Sequence, residues 1–403
     1  MQEHPSVIDD IQCEVLYKKK NKITYCIGNV AVDNYIFVNE TQKNAITNAL
    51  SYMDGIRSLD EIQEILESEH GTKMNMQSLY NLCAENGFIK GVDKNPTLSR
   101  RGFNELDLFM VNLFSINIDK FRNFFAFLAK YLHTIVLFMI AISIGLGCLM
   151  FVGHAGLNTN IAWYTLLSDP TTIIFYILIS TISVILHELS HVVVAYRYSI
   201  TPKNLTVALY AYITPMFYVR LNGIYMIKPI KRVFVWIAGS TVNFFLAFVC
   251  YTLANFTSGL LNLFFLTGVV CNLLLGIYSL LPIYISDGYY ILSTILKTPN
   301  LRKSSFSQTF NLLKGDFNKE GLIYAVYCFL FVGIIVYFLS GRIYDLVVLV
   351  IQGYENGLNI FQIMESYITI IIFVCIGIGS RIITALMRKK SALKNDNNLK
   401  GIK

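Results

Sequence analysis

Residues 171–196 read TTIIFYILISTISVILHELSHVVVAY, an apolar run with His187-Glu188-Leu189-Ser190-His191 set inside it. A membrane helix needs ~20 apolar residues, and this segment supplies them with Glu188 as its one formal charge before Arg197. Residues four apart on a helix share a face, so His187 and His191 bring two imidazoles to one point, with Glu188 beside them. An ionisable group at the middle of a membrane helix costs at least ~2.5 kcal/mol and marks function by default. Two of the six histidines in the chain stand in this one turn. The plainer alternative is a structural pair sharing a hydrogen-bond network.

Working outward, the apolar pattern repeats. Spans are expected at 132–153, 171–196, 233–254, 260–282, 321–340 and 366–387. Only 15% of the 403 residues are charged, against ~25% in a soluble domain. Lys120, Arg122 and Lys130 precede the first span, Arg197 to Arg232 carry six cations between the second and third, and Arg388 to Lys390 follow the last. The alternate loops at 154–170 and 255–259 hold no Lys or Arg, which places both termini in the cytoplasm of a multi-pass cell-membrane protein. That placement accounts for the net charge of +7 without nucleic acid. The eight cysteines are scattered and form neither a disulfide framework nor a thiolate zinc site.

A catalytic zinc ion takes three protein ligands and leaves a fourth position to water. Between Val192 and Gly315 there is no His and no Glu, and Asp287 is the single carboxylate. Elimination therefore makes Asp287 the expected partner of His187 and His191, with Glu188 as general base. An ordinary turn at a helix end is the other reading of Asp287-Gly288.

The first hundred residues read as a separate α+β unit of winged-helix type. Short strands are expected near 11–17, 22–27 and 34–38, then a helix from Glu40 that Asp54-Gly55 ends. Ser58, with Glu61 three residues on, opens a second helix as a capping box, and a third runs from Asn75 to Asn86. Lys18, Lys19, Lys20 and Lys22 fall in a turn and the third helix has no Arg or Lys, so base reading is not expected.

Two resemblances follow from these residues. Residues 171–295 are similar to the site-2 protease family of intramembrane zinc metalloproteases, through His187–His191, Ala238-Gly239-Ser240-Thr241-Val242-Asn243 and Pro282 to Asp287-Gly288. The family's third zinc ligand is the Asp of the last motif, which implies that role for Asp287. Asp287-Gly288-Tyr289-Tyr290 and Thr214 to Val219 resemble most the branch associated with peptide maturation, implying substrate contacts at Asn243, Asn272, Pro215 and Tyr218. Ser279 stands where the family commonly has Asn, and Asn272 is the candidate substitute. Asn243 and Asn272 are equally read as interhelical packing residues. Residues 10–92 resemble the PqqD-like peptide-recognition domain, through Val38-Asn39-Glu40-Thr41, Met53-Asp54-Gly55, Ser58–Leu66 and Gly87-Phe88-Ile89. That resemblance implies capture of a leader peptide as an added strand.

The expectation is an α-helical polytopic membrane protein of about six transmembrane helices with a small N-terminal winged-helix domain. It divides into a peptide-recognition domain at 1–100, a juxtamembrane linker at 101–131, a zinc-binding (Zn2+) core at 132–300, a C-terminal pair of spans at 301–388 and a basic tail at 389–403. The function expected is cleavage of a ribosomally made precursor peptide. The competing readings are proteolysis of a membrane-bound regulator or signal-peptide remnant, and a non-catalytic component of peptide export or immunity. Expected partners are the peptide substrate, the lipid bilayer and, as further candidates, a peptide-modifying enzyme or exporter.

Overall fold

The computed structural model describes residues 4–19, 22–71, 73–92, 110–152, 170–210, 214–282, 286–315 and 319–355. Three strands, β1 (Gln12–Lys19), β2 (Lys22–Asn29) and β3 (Asn34–Asn39), form an antiparallel sheet in that order. Three helices follow, α1 (Glu40–Tyr52), α2 (Leu59–His70) and α3 (Met76–Glu85). Capping explains where two of them begin. Asn39 and Gln42 exchange bonds at the start of α1, and Ser58 and Glu61 do so at α2, satisfying amides that a helix start leaves free. Gly71, at φ 60°, ends α2 in the left-handed conformation that glycine tolerates. Ile27 and Val38 on the sheet bury with Ile46, Ile62, Leu66 and Phe88 in one core, each such side chain contributing roughly 1.5–3 kcal/mol.

The other face of this sheet meets the rest of the chain. Leu16, Tyr17 and Cys26 pack with Tyr225 and Met226. Arg232 is fully buried at this seam, its Nη2 donating to the Leu16 carbonyl at 2.7 Å and its guanidinium 4.9 Å from the Tyr17 ring centroid. Lys297 Nζ donates to the Lys18 carbonyl at 2.6 Å, and the Gly223 amide donates to the Tyr35 hydroxyl at 2.7 Å. β1 is thereby covered, and β3 is the sheet's other edge.

The second unit begins with β4 (Met110–Asn117), a 3-10 turn at Asp119–Phe121 and α4 (Arg122–Lys130). Then come α5 (Leu132–Val152), α6 (Pro170–Arg197), β5 (Asn204–Tyr210), β6 (Thr214–Val219), α7 (Pro229–Asn255) and α8 (Gly259–Leu280). The short α9 (Asp287–Ile295), α10 (Leu301–Leu313) and the long α11 (Lys319–Glu355) complete it. α7 packs along α8 and against α6. Glycines allow the close approach: a Cβ on Gly268 would lie 2.7 Å from Cys250 Sγ, and one on Gly276 would lie 2.9 Å from the Phe244 ring.

Thr171–Arg197, Pro229–Asn255 and Gly259–Leu280 are long and apolar enough to cross a membrane, and a pair bent by 64°, Asp119–Lys130 with Leu132–Gly145, makes a fourth candidate. The described residues thus hold three to four candidate spans rather than six. The expected sixth, 366–387, lies outside the described residues. The expected fifth falls within α11, whose 37 residues continue as helix through Glu355, so 341–355 extends the helix.

The segment read as a juxtamembrane linker, 101–131, is described from residue 110. Residues 110–130 carry β4 and α4, and β4 pairs antiparallel with β5 from Met110↔Tyr210 to Asn117↔Asn204. β5 pairs in turn with β6, giving a sheet of order β4-β5-β6. A ladder formed with a partner some ninety residues later has no local signature.

Candidate metal centre

α6 carries His187, Glu188 and His191 one turn apart, and their donor atoms lie within 4.8 Å of one another, a group that could hold a metal ion. The two imidazole centroids are 4.9 Å apart, as i,i+4 spacing requires. Both histidines are buried, at 9% and 4% exposure, so neither has bulk water to satisfy its ring nitrogens.

Asp287 joins them from α9. Its Oδ2 lies 3.0 Å from His187 Nε2 and 3.4 Å from His191 Nε2. Two features bring it there. Ser286 caps α9 by accepting from the Tyr289 amide, which makes Asp287 the first helical residue. Gly288 then lets α9 close against the end of α8, where any Cβ would collide with the Leu280 carbonyl.

The far side of each imidazole is held as well. His191 Nδ1 lies 2.7 Å from the Val235 carbonyl, which can only accept, so Nδ1 carries a proton and Nε2 is the nitrogen turned toward Asp287. Asn243 Nδ2 lies 2.9 Å from His187 Nδ1, with the amide fully buried and its Oδ1 unpartnered. α7 supplies both groups, and Gly239 on the same helix leaves the space the His187 ring occupies, since a Cβ there would collide with Nε2. Two imidazoles and a carboxylate converging in a buried site make a donor set that could hold a cation.

Glu188 faces differently from Asp287. Its Oε2 accepts from the Val219 amide at 3.0 Å, at the end of edge strand β6. The apolar cluster of Ile118, Phe125, Val192 and Leu205, with Phe217 and Val219 packed against it, fixes the sheet on α6 beside the histidines.

The expected site residues thus divide. His187, Glu188, His191, Asp287 and Asn243 come together. Asn272 does not join them: its Nδ2 bonds back to the Gly268 carbonyl of its own helix at 2.9 Å. Ser279 ties helices together, its Oγ 2.6 Å from Ser240 Oγ on α7. Pro215 and Tyr218 lie on β6, opposite Leu209 and Thr206. Sequence reasoning missed the Val219 amide and the Val235 carbonyl, because backbone groups carry no residue-type signature. Comparison of the chain with protein-family models, with curated proteins and with solved structures gives no match.

Proposed function

We propose that this protein is a membrane zinc metalloendopeptidase that cleaves a ribosomally made precursor peptide. The observation that carries this reading is the convergence of His187 Nε2, His191 Nε2 and Asp287 Oδ2, with Glu188 free of that contact and aimed by the Val219 amide. Two donors each ~2.0–2.1 Å from a tetrahedral zinc ion stand ~3.3 Å apart, and the pairs here are 3.0 and 3.4 Å. The residues fit the ion. Asn243 lies against His187 Nδ1, so it would hold the ring with Nε2 toward the ion.

A zinc ion held by His187, His191 and Asp287 would supply an acidified water and polarise the scissile carbonyl. Glu188, aimed by the Val219 amide, would act as general base, taking a proton from the attacking water and passing it to the leaving amine. β6 contributes an open edge beside Glu188, on which a peptide can lie extended with its backbone exposed to attack. The front domain supports a peptide substrate over a folded one. Its β1 is covered by Arg232 and Lys297, and β3 remains as the edge for a captured strand.

The test is a mass-spectrometric comparison of peptides and membrane-protein termini in native cells carrying the wild type or Glu188→Ala. Accumulation of one small intact precursor supports the proposal and identifies the substrate. Accumulation of a transmembrane regulator replaces the substrate class, and no change with the producing pathway active overturns the enzyme reading.

A further inference from the structure

α4 has three distinct faces. At ~3.6 residues per turn, Phe125 and Ala129 share the inward face and are buried, Phe125 stacking on Tyr196 of α6 with centroids 6.1 Å apart. An adjacent face gathers Phe121, Phe124, Leu128 and Tyr131, with Phe127 at its rim. The four aromatic residues among them are exposed at 57, 56, 42 and 59% for Phe121, Phe124, Tyr131 and Phe127. The third face carries Arg122, Asn123 and Lys130, all exposed. Lys120 precedes the helix, and none of the three cations pairs with a carboxylate among the described residues.

Water is a poor neighbour for four clustered aromatic side chains, and the surroundings say what covers them. α5 has 21 residues, enough for the ~30 Å of hydrocarbon without help from α4. The 64° bend at Tyr131 turns α4 away from that span. Its inward face packs on Val192 and Tyr196, the last turns of α6 before Arg197, which sets it at the membrane boundary and not in mid-bilayer. Apolar exposure continues into β4 at Leu113, Phe114 and Ile116. At the bend, Phe127, Leu128, Tyr131, Ile135 and Phe138 line a groove of about 500 Å³ together with Phe245 of α7, and Lys130 lies over the Tyr131 ring.

We propose that α4 is an interfacial anchor that binds anionic phospholipid. Phe121, Phe124 and Tyr131 enter the headgroup–acyl boundary, Lys120, Arg122 and Lys130 meet the headgroups, and an acyl chain occupies the groove at the bend. An amphipathic helix with aromatics on one face and cations on the other lies in the interface plane, and cations near an anionic leaflet add to the attraction. The anchor bears on the candidate metal centre, because Phe125 shares its cluster with Val219, whose amide holds Glu188. Lipid seating of α4 thereby sets the depth at which β6 meets the site.

The experiment uses the full chain in vesicles of bromine-labelled phosphatidylcholine, with and without phosphatidylglycerol. Phe124→Trp and Asn123→Trp are each compared with the parent chain. The position-124 indole is expected to be quenched about two-fold more than its neighbour at 123, since the apolar face sinks ~5–10 Å into the boundary. In native mass spectrometry, phosphatidylglycerol retained by the parent is expected to fall by roughly ten-fold in the K120Q/R122Q/K130Q variant. Equal quenching at 123 and 124, or none at 124, overturns the anchor. Shielding from aqueous iodide without bromolipid quenching assigns the face to a protein neighbour and overturns it too. Unchanged phosphatidylglycerol retention in the triple variant overturns the headgroup assignment. Circular dichroism and elution volume, expected unchanged because the substituted side chains are exposed, separate these results from misfolding.

Discussion

Arg232 on α7 donates from Nη2 to the carbonyl of Leu16 on β1 at 2.7 Å, across 216 residues of chain. Its Nε and Nη1 are buried without hydrogen-bond partners, and its nearest charged-face neighbours are the rings of Tyr17 and Tyr225. The seam between the two units thus includes a fully buried cation held by aromatic faces and a carbonyl. Arg232→Ala removes the aliphatic stem as well as the charge and is expected to cost about 2–4 kcal/mol. Arg232→Met keeps the stem and sheds the guanidinium's desolvation, so about 1 kcal/mol or less is expected. Thermal unfolding of the two variants in one detergent orders them.

Glu188→Gln keeps the shape of the side chain and removes the base. Turnover of the identified peptide is expected to fall by about 10²–10⁴-fold, while metal content measured by elemental analysis stays at the wild-type level. His187→Ala, His191→Ala and Asp287→Ala are each expected to lose the metal, because each removes one of three converging donors. A Glu188→Gln protein purified without metal would make Glu188 a ligand and refute its assignment as base.

Gly239→Ala places a methyl group on the His187 ring, and Gly145 on α5 has open space around its Cα. The first substitution is expected to weaken metal binding by about 10–100-fold. The second is expected to be neutral or to stabilise by up to ~1 kcal/mol through helix propensity. Competition with a fluorescent chelator measures the first, and thermal unfolding in detergent the second.

Val219→Pro deletes the amide that aims Glu188. The amide points away from the sheet, so the edge strand tolerates the loss. A fall in kcat of about ten-fold or more with the metal retained is expected, since a misaimed base costs the chemical step. An unchanged kcat would show that Glu188 is aimed by something other than the Val219 amide.

The Ser58 amide bonded to Glu61 holds that carboxyl below the usual Glu range. A depressed folded pKa means the contribution is present above the unfolded value of ~4.3 and is lost as pH falls through the folded one. Unfolding of the front domain is thus expected to become easier below pH ~4, and Glu61→Gln should flatten that part of the curve. Ser58→Ala is expected to cost ~1 kcal/mol at neutral pH.

What the amino-acid order determined by itself was local. The imidazoles of His187 and His191 share a face because helical spacing demands it, and Ser58 with Glu61 marks a helix start wherever the helix then packs. Asp287 was reachable because so few carboxylates compete with it. Tertiary structure alone decided the rest. β4 exists because β5 lies beside it, Asn272 turned to its own helix while Asn243 reached His187, and Arg232 found Leu16 at the far end of the chain. The reason is physical: periodicity and capping are properties of neighbours within a turn or two, whereas a ladder partner, a backbone carbonyl or a ring approaching a glycine is defined only once distant segments have packed.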